Sequence, residues 1–210
     1  MDPAALRALP LFPLPNAVLL PGGMLPLHVF EPRYRQLVHD VREGDDRFGV
    51  VLIERGSEVG GGDTRTDVGT VARIVHAEES PDGRWGIAAV GLHRIHIDAW
   101  LQDDPYPRAE VSEFPESGEP LDDETLDLLE GLVRRTAALR AELAEPAPPL
   151  DVELVEDPVL AVYQAALAAL PGPADRQALL ATPAAGDMGA LLVRLLREEL
   201  EVLEARLSGP

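Results

Sequence analysis

"FPLPNAVLLPGGMLPLHVFEPRYR", residues 12–35, sets five prolines into a run that otherwise has the apolar texture of strand. Proline removes a ladder donor and presets one backbone dihedral, so within sheets it is confined to edges, first positions and turns. A chain that opens this way builds short strands with sharp turns between them. Val18–Leu20 and Leu25–Phe30 are expected as short strands around the turn "PGG" at 21–23. Pro32 suits the first turn of a helix, where an N–H would have no partner anyway. Tyr34, Leu37, Val38 and Val41 then recur on one face of that helix.

Working outward, "FGVVLI" (48–53) is apolar on both faces, as in a central strand. "VGTVARIVHA" (68–77) and "RWGIAAVGLHRIHIDAW" (84–100) flank "SPDG", where proline and glycine supply the dihedrals of a tight turn, so the two form a long hairpin. "PRAEVSEF" (107–114) reads as a last strand, expected at a sheet edge behind Pro105 and Pro107. About six short strands with one early helix predict a small closed or partly closed barrel.

The period changes after the acidic linker "PESGEP" (115–120). Asp122 is placed to cap a helix whose first turn carries Asp123 and Glu124. Leu126, Leu129, Val133, Thr136, Arg140 and Leu143 mark one side of it, and "EPAPPL" (145–150) breaks it. Helical spacing returns around 158–170, 174–181 and 187–207, with a stripe of Leu192, Leu196, Leu200, Leu203 and Leu207 in the last. The expected fold class is α+β: a β-barrel over residues 1–115 and a helical region over 121–210.

Composition removes whole classes of chemistry. The formal net charge is −19, and the basic residues are scattered, so nucleic acid is an unfavourable partner. There is no cysteine, which excludes disulfides, thiolate metal sites and a cysteine nucleophile. There is no lysine either: all 18 basic residues are arginine. Without lysine there is no P-loop phosphate contact, no Schiff base and no Ser–Lys dyad. The purified protein is therefore expected neither to hydrolyse ATP nor to cleave casein, and sustained ATP turnover by a clean preparation would overturn that expectation. The apolar run near the N-terminus is interrupted by Pro10, Pro13, Pro15 and Pro21 and lacks a basic flank. It does not read as a signal peptide, and no segment approaches the ~20 apolar residues of a membrane span, so a cytoplasmic protein with no membrane partner is expected.

Local motifs add no catalytic set. His93 and His96 are three apart on a strand and point to opposite faces, so they cannot chelate one ion. His28, His39 and His76 have no ligand-spaced partner in the sequence. The glycines of "EVGGGDT" (58–64) lack both a lysine and a following helix, and read as a hairpin tip. "RGSEVG" (55–60) misses the nucleophile-elbow spacing by one position. The acid pairs Asp45–Asp46, Glu78–Glu79 and Asp103–Asp104 read as solvated turns. No catalytic, cofactor-binding or metal-binding residue is assigned.

The run "LFPLPNAVLLPGGMLPLHVFEPRYRQLV" (11–38) resembles the start of the Lon substrate-binding domain, also called the Lon N-terminal domain. Similar pieces follow in order: "FGVVLI", "EVG" (58–60), "VGTVARI" (68–74), "DGR" (82–84), "VGLHRIHI" (90–97), "PYPRAEV" (105–111), "RQALL" (176–180) and "LLVRLLREELEVL" (191–203). The resemblance implies a PUA-like pseudo-barrel with a helical tail beside it. Lon proteases continue into an ATPase and a Ser–Lys peptidase, and neither follows before Pro210, so a stand-alone, non-catalytic domain is expected.

What the resemblance implies is recognition of exposed apolar segments of client polypeptides, in the manner of an adaptor or assistant to a protease. RNA-related binding through the barrel and a small-molecule pocket at its mouth are the alternatives. Phe30, Tyr34, Trp85, Trp100 and Tyr106 flank strand ends or the early helix, where they either anchor a peptide or fill the ends of the barrel. Arg33 and Arg35 either orient a peptide carboxylate or pair on the helix surface, as with Glu31. Chain order suggests a shallow apolar cleft bordered by Phe30, Arg33 and Tyr34.

Overall fold

The computed structural model describes residues 8–55, 64–119, 121–170 and 172–209. The elements run β1 (Leu9–Leu14), β2 (Met24–Val29), α1 (Pro32–Glu43), β3 (Arg47–Arg55), β4 (Thr64–Glu79), β5 (Trp85–Trp100), β6 (Arg108–Glu113), α2 (Asp123–Glu142), α3 (Pro158–Ala169), α4 (Pro173–Ala181) and α5 (Ala185–Ser208). Two compact units result, Met1–Pro115 and Glu116–Pro210. The glycine run and the "RGSEVG" motif fall almost wholly outside the described residues.

In the first unit the sheet order is β2-β5-β4-β3-β1-β6, and β5 also pairs with β6. That last pairing closes a ring. It is possible because β5 is long enough to serve two neighbours: Trp85–Val90 pairs with β2, and Ile95–Trp100 with β6. The strand expected at an edge, β6, is therefore paired on both sides, and the end strand is β2. Pro105 and Pro107 precede β6 and so remove no donor from its ladder.

The "SPDG" turn joins β4 and β5 as expected, with Ser80 and Arg84 bonded across it (2.8 Å) and Gly83 at φ +77°. Val18–Leu20 does not form a strand. The segment is buried, but the Leu19 carbonyl accepts the Thr70 hydroxyl (2.5 Å) instead of a ladder N–H. It also lies flat on β5, where a methyl at Gly91 would stand 2.4 Å from the Leu20 carbonyl oxygen. The first strand is instead Leu9–Leu14, running parallel to β3 through Pro10 and Pro13. Pro10 precedes the first β1–β3 pair, Leu11–Gly49. The Leu11 N–H donates to Pro107 (2.8 Å). Pro13 therefore faces that same side, past the end of the β6 pairing at Pro10. Neither proline sits where a donor is required.

Two clusters fill this unit. Leu9, Leu11, Val51, Val71, Ile95, Ile97, Ala109 and Val111, drawn from all five strands of the ring, fill its interior. On the other side of the sheet Phe12, Phe48, Ile74, Ile87 and Ala89 pack with Tyr34, Leu37, Val38 and Val41 of α1. Strands β1, β3 and β4 are thus apolar on both faces because both faces are covered, which is what "FGVVLI" predicts.

The second unit contains α2 to α5. Asp122 caps α2 through the Thr125 N–H (2.7 Å), and Asp157 caps α3 through Val159 (3.0 Å) and Leu160 (2.9 Å). Helices α2 and α5 form the main pair, built on Leu129, Val133 and Ala137 against Leu192, Leu196, Leu200 and Leu203. Leu207, counted in the sequence stripe, is exposed near the end of α5.

Candidate functional site

Helix α1 covers one face of the β2–β5–β4 end of the sheet. The opposite face of the same strand segments carries Met24, Pro26 and His28 of β2 beside Val90, Ala88 and Gly86 of β5. Next to them runs β4, with Val75 as the extra residue of a bulge opposite Ala88. In the barrel unit, among the described residues, three large apolar side chains are exposed: Met24 (59%), Phe30 (65%) and Val75 (52%). They all belong to this end of the sheet.

Beyond the last β2 residue, Phe30 borders an open groove of about 380 Å³ together with His28, Val29, Glu78, Ser80, Arg84, Trp85 and Gly86. The antiparallel register builds it: Val29 pairs with Trp85, and Glu78 pairs with Gly86. Trp85 also borders an adjoining groove of about 330 Å³ with Pro32, Arg35, Gln36, His39 and Glu79. Glu78 and Glu79 thus lie at the end of β4 rather than in a turn. The wall charge of the first groove is uneven. Arg84 is bound to Asp82 (2.7 Å), an exposed pair that lowers the Asp82 pKa and raises that of Arg84. The Glu78 carboxylate has no hydrogen-bond or ion-pair partner among the described residues.

The six residues singled out in the sequence disperse. Phe30 and Trp85 meet in the first groove. Arg33 pairs with Glu31 (3.1 Å) and lies 4.5 Å from the ring centroid of Tyr34. Tyr34 itself is core: it is 2% exposed and stacks on Phe12 with centroids 4.1 Å apart. Trp100 sits at the far end of β5, under the Arg65 guanidinium (4.7 Å) and against the ring interior. Tyr106 is buried, and its hydroxyl donates to Asp40 (2.8 Å). Arg35 lies over the hairpin turn, where a methyl on Gly83 would meet its guanidinium at 2.0 Å. His39, without a partner in the sequence reading, stands with Asp40 and Glu43 so that one ligand atom of each lies within 4.8 Å of the others. The Asp40 carboxylate is already engaged by Tyr106 and by Gln36 (2.6 Å).

Burial first, then the hydrogen bond to Asp40 and its charge, push the Tyr106 pKa from 10.0 up to about 12. A raised acid pKa means that folding favours the neutral phenol. Its contribution is complete below pH 10 and is lost as the pH rises towards about 12. No lysine titrates in that window. Urea midpoints of the parent and Tyr106→Phe should therefore differ most below pH 10 and converge above it. A gap that stays constant through the window would show that this phenol is not coupled to folding.

A family model described as the ATP-dependent protease La (LON) substrate-binding domain matches residues 8–198. The chain belongs to the Lon substrate-binding domain family. It is 32% identical over 203 residues to Lon protease 2 of Myxococcus xanthus, covering 94% of this chain and 24% of that protein. The chain spans about a quarter of the length of that relative. A Lon N-terminal domain protein from Xanthomonas campestris shares 27% identity with a TM-score of 0.64, covering 90% of this chain and 98% of that one. The N-terminal domain of the Mycobacterium avium complex Lon protease has the same fold (TM-score 0.64, 18% identity, covering 93% and 98%). The Lon-type barrel with following helices is thus the architecture of this chain. Among its described residues no helix is long and apolar enough to cross a membrane.

Proposed function

We propose that this chain is a polypeptide-recognition module that binds exposed apolar segments of client proteins and assists a protease. The observation that carries the reading is the family match over residues 8–198, to a domain named for substrate binding. A surface of the barrel supports it. Exposed apolar residues gathered on one face, rather than scattered singly, are the usual mark of an interaction surface. Here Met24, Phe30 and Val75 gather at the β2–β5–β4 end, with Trp85 beside Phe30.

The groove receives side chains rather than an added strand. Gly91 N–H donates to the Gly23 carbonyl (2.9 Å), so alternation turns the backbone of Leu25, Leu27 and Val29 towards β5. Met24, Pro26 and His28 face the free edge, and Pro26 offers no N–H there. A client strand could not continue the ladder past it.

Binding of β-casein, a polypeptide without stable structure, tests the reading. Phe30→Ala should weaken it about fivefold or more while leaving the melting temperature nearly unchanged, because an exposed side chain contributes to contact and little to folding. Equal binding by parent and variant would remove Phe30 from the site. No binding above that of an unrelated acidic protein would remove the function.

A further inference from the structure

We propose that the groove between Phe30 and Trp85 selects a cationic side chain, arginine or lysine, set among apolar residues of the bound polypeptide. The inference rests on the polypeptide-recognition reading and adds the chemistry of what is recognised. Three observations converge on it.

The walls are aromatic, with Phe30 65% exposed and Trp85 half-buried. Aromatic faces attract a cation through their quadrupole and also accept the aliphatic stem of a long basic side chain. The groove also holds a carboxylate, Glu78, on the β4 side and opposite Gly86, with no side-chain partner among the described residues. The one guanidinium in the wall, Arg84, is already neutralised by Asp82 at 2.7 Å, so it neither repels an incoming cation nor offers itself to an anion. Arg35 lies in the adjoining groove, with Glu79.

The whole molecule reinforces this local sign. At −19 it attracts basic segments over long range and repels acidic ones. Apolar contact alone would leave the groove indifferent to charge; a carboxylate lining the same groove as Phe30 and Trp85 makes it discriminate. Glu78 is exposed, so the discrimination is modest per contact and screened by salt.

Trp85 can report its own occupancy, since the chain has two tryptophans and Trp100 lies outside the groove. In a Trp100→Phe background, fluorescence of Trp85 is titrated at about pH 8, above the ordinary imidazole range. The probes are short capped peptides of leucine and alanine with one central residue: arginine, its uncharged isostere citrulline, or glutamate. The arginine peptide should bind about fivefold tighter than the citrulline peptide, and the glutamate peptide weakest. Glu78→Gln should reduce the arginine preference at least about twofold while retaining citrulline-peptide binding, and added salt should reduce it likewise. If all three peptides bind equally, and Phe30→Ala weakens all of them, cation selection is overturned and polypeptide recognition stands. If none shifts Trp85 fluorescence, recognition at this groove falls as well. Tighter binding of single-stranded poly-uridine than of the arginine peptide would overturn both.

Discussion

Tyr34→Ala is expected to lower the stability of the protein by about 4 kcal/mol, in the range of aromatic truncations in a core. The ring is 2% exposed and stacks nearly parallel to Phe12 (13°), which in turn contacts Phe48 at 6.3 Å between centroids. That chain of rings ties α1 to β1 and β3. Removing its α1 end leaves a void lined by Phe12, Leu37 and Val38 that rigid strands cannot collapse to fill. Phe30→Ala, four residues earlier, is expected to change stability by less than about 0.5 kcal/mol. The two residues were equal candidates as peptide anchors in the sequence, and urea denaturation of the two variants separates them. A parental midpoint for Tyr34→Ala would contradict the packing of α1 on the barrel.

Why the sequence could not separate them is a matter of helix phase against strand end. Tyr34 falls in register with Leu37, Val38 and Val41, so its burial was legible from α1 periodicity. Phe30 lies between β2 and α1, where neither the period of two nor that of 3.6 applies. The β4–β5 hairpin, α1 and the Asp122 cap were legible because each is written locally, in a turn dipeptide, a face or a side chain. Strand β1 was not, because Pro10 and Pro13 look like breakers until the ladders on either side are known. The position of β6 was not legible for the same reason, since closure of the ring depends on β5 reaching two partners. Glu78 was hidden by the bulge at Val75, which shifts the alternation so that counting from Val71 misplaces every later residue. Phe30 and Trp85 meet only through the Val29–Trp85 pairing, and no local signal announces a register.

The largest effect in the helical unit is expected from Arg140→Ala, about 3 kcal/mol of stability. The unit carries 7 arginines against 19 carboxylates from residue 116 onward, and one of those few arginines is turned inward. Arg140 on α2 donates to the Ala169 carbonyl at the end of α3 and to Glu199 on α5, both at 2.8 Å, with 11% and 18% of the two charged side chains exposed. Close by, Arg176 of α4 donates to the Leu170 carbonyl (2.9 Å), and its pKa is held below the usual arginine value by burial and then by the charge of Arg140. The end of α3 thus relies on guanidinium donors for carbonyls that its own helix leaves unpaired. Truncating Arg140 strands a poorly hydrated carboxylate as well as a carbonyl, and that uncompensated charge, rather than the lost attraction, sets the magnitude. The double variant Arg140→Met with Glu199→Leu removes both charges and keeps the volume, so it should lose clearly less than the single change, since apolar replacement of a buried pair is often neutral. Equilibrium unfolding followed by far-ultraviolet circular dichroism measures both. If the single variant loses under about 0.5 kcal/mol, the pair behaves as a solvated surface bridge. If single and double variants lose the same, the carbonyl of Ala169, and not the stranded Glu199, is what Arg140 serves.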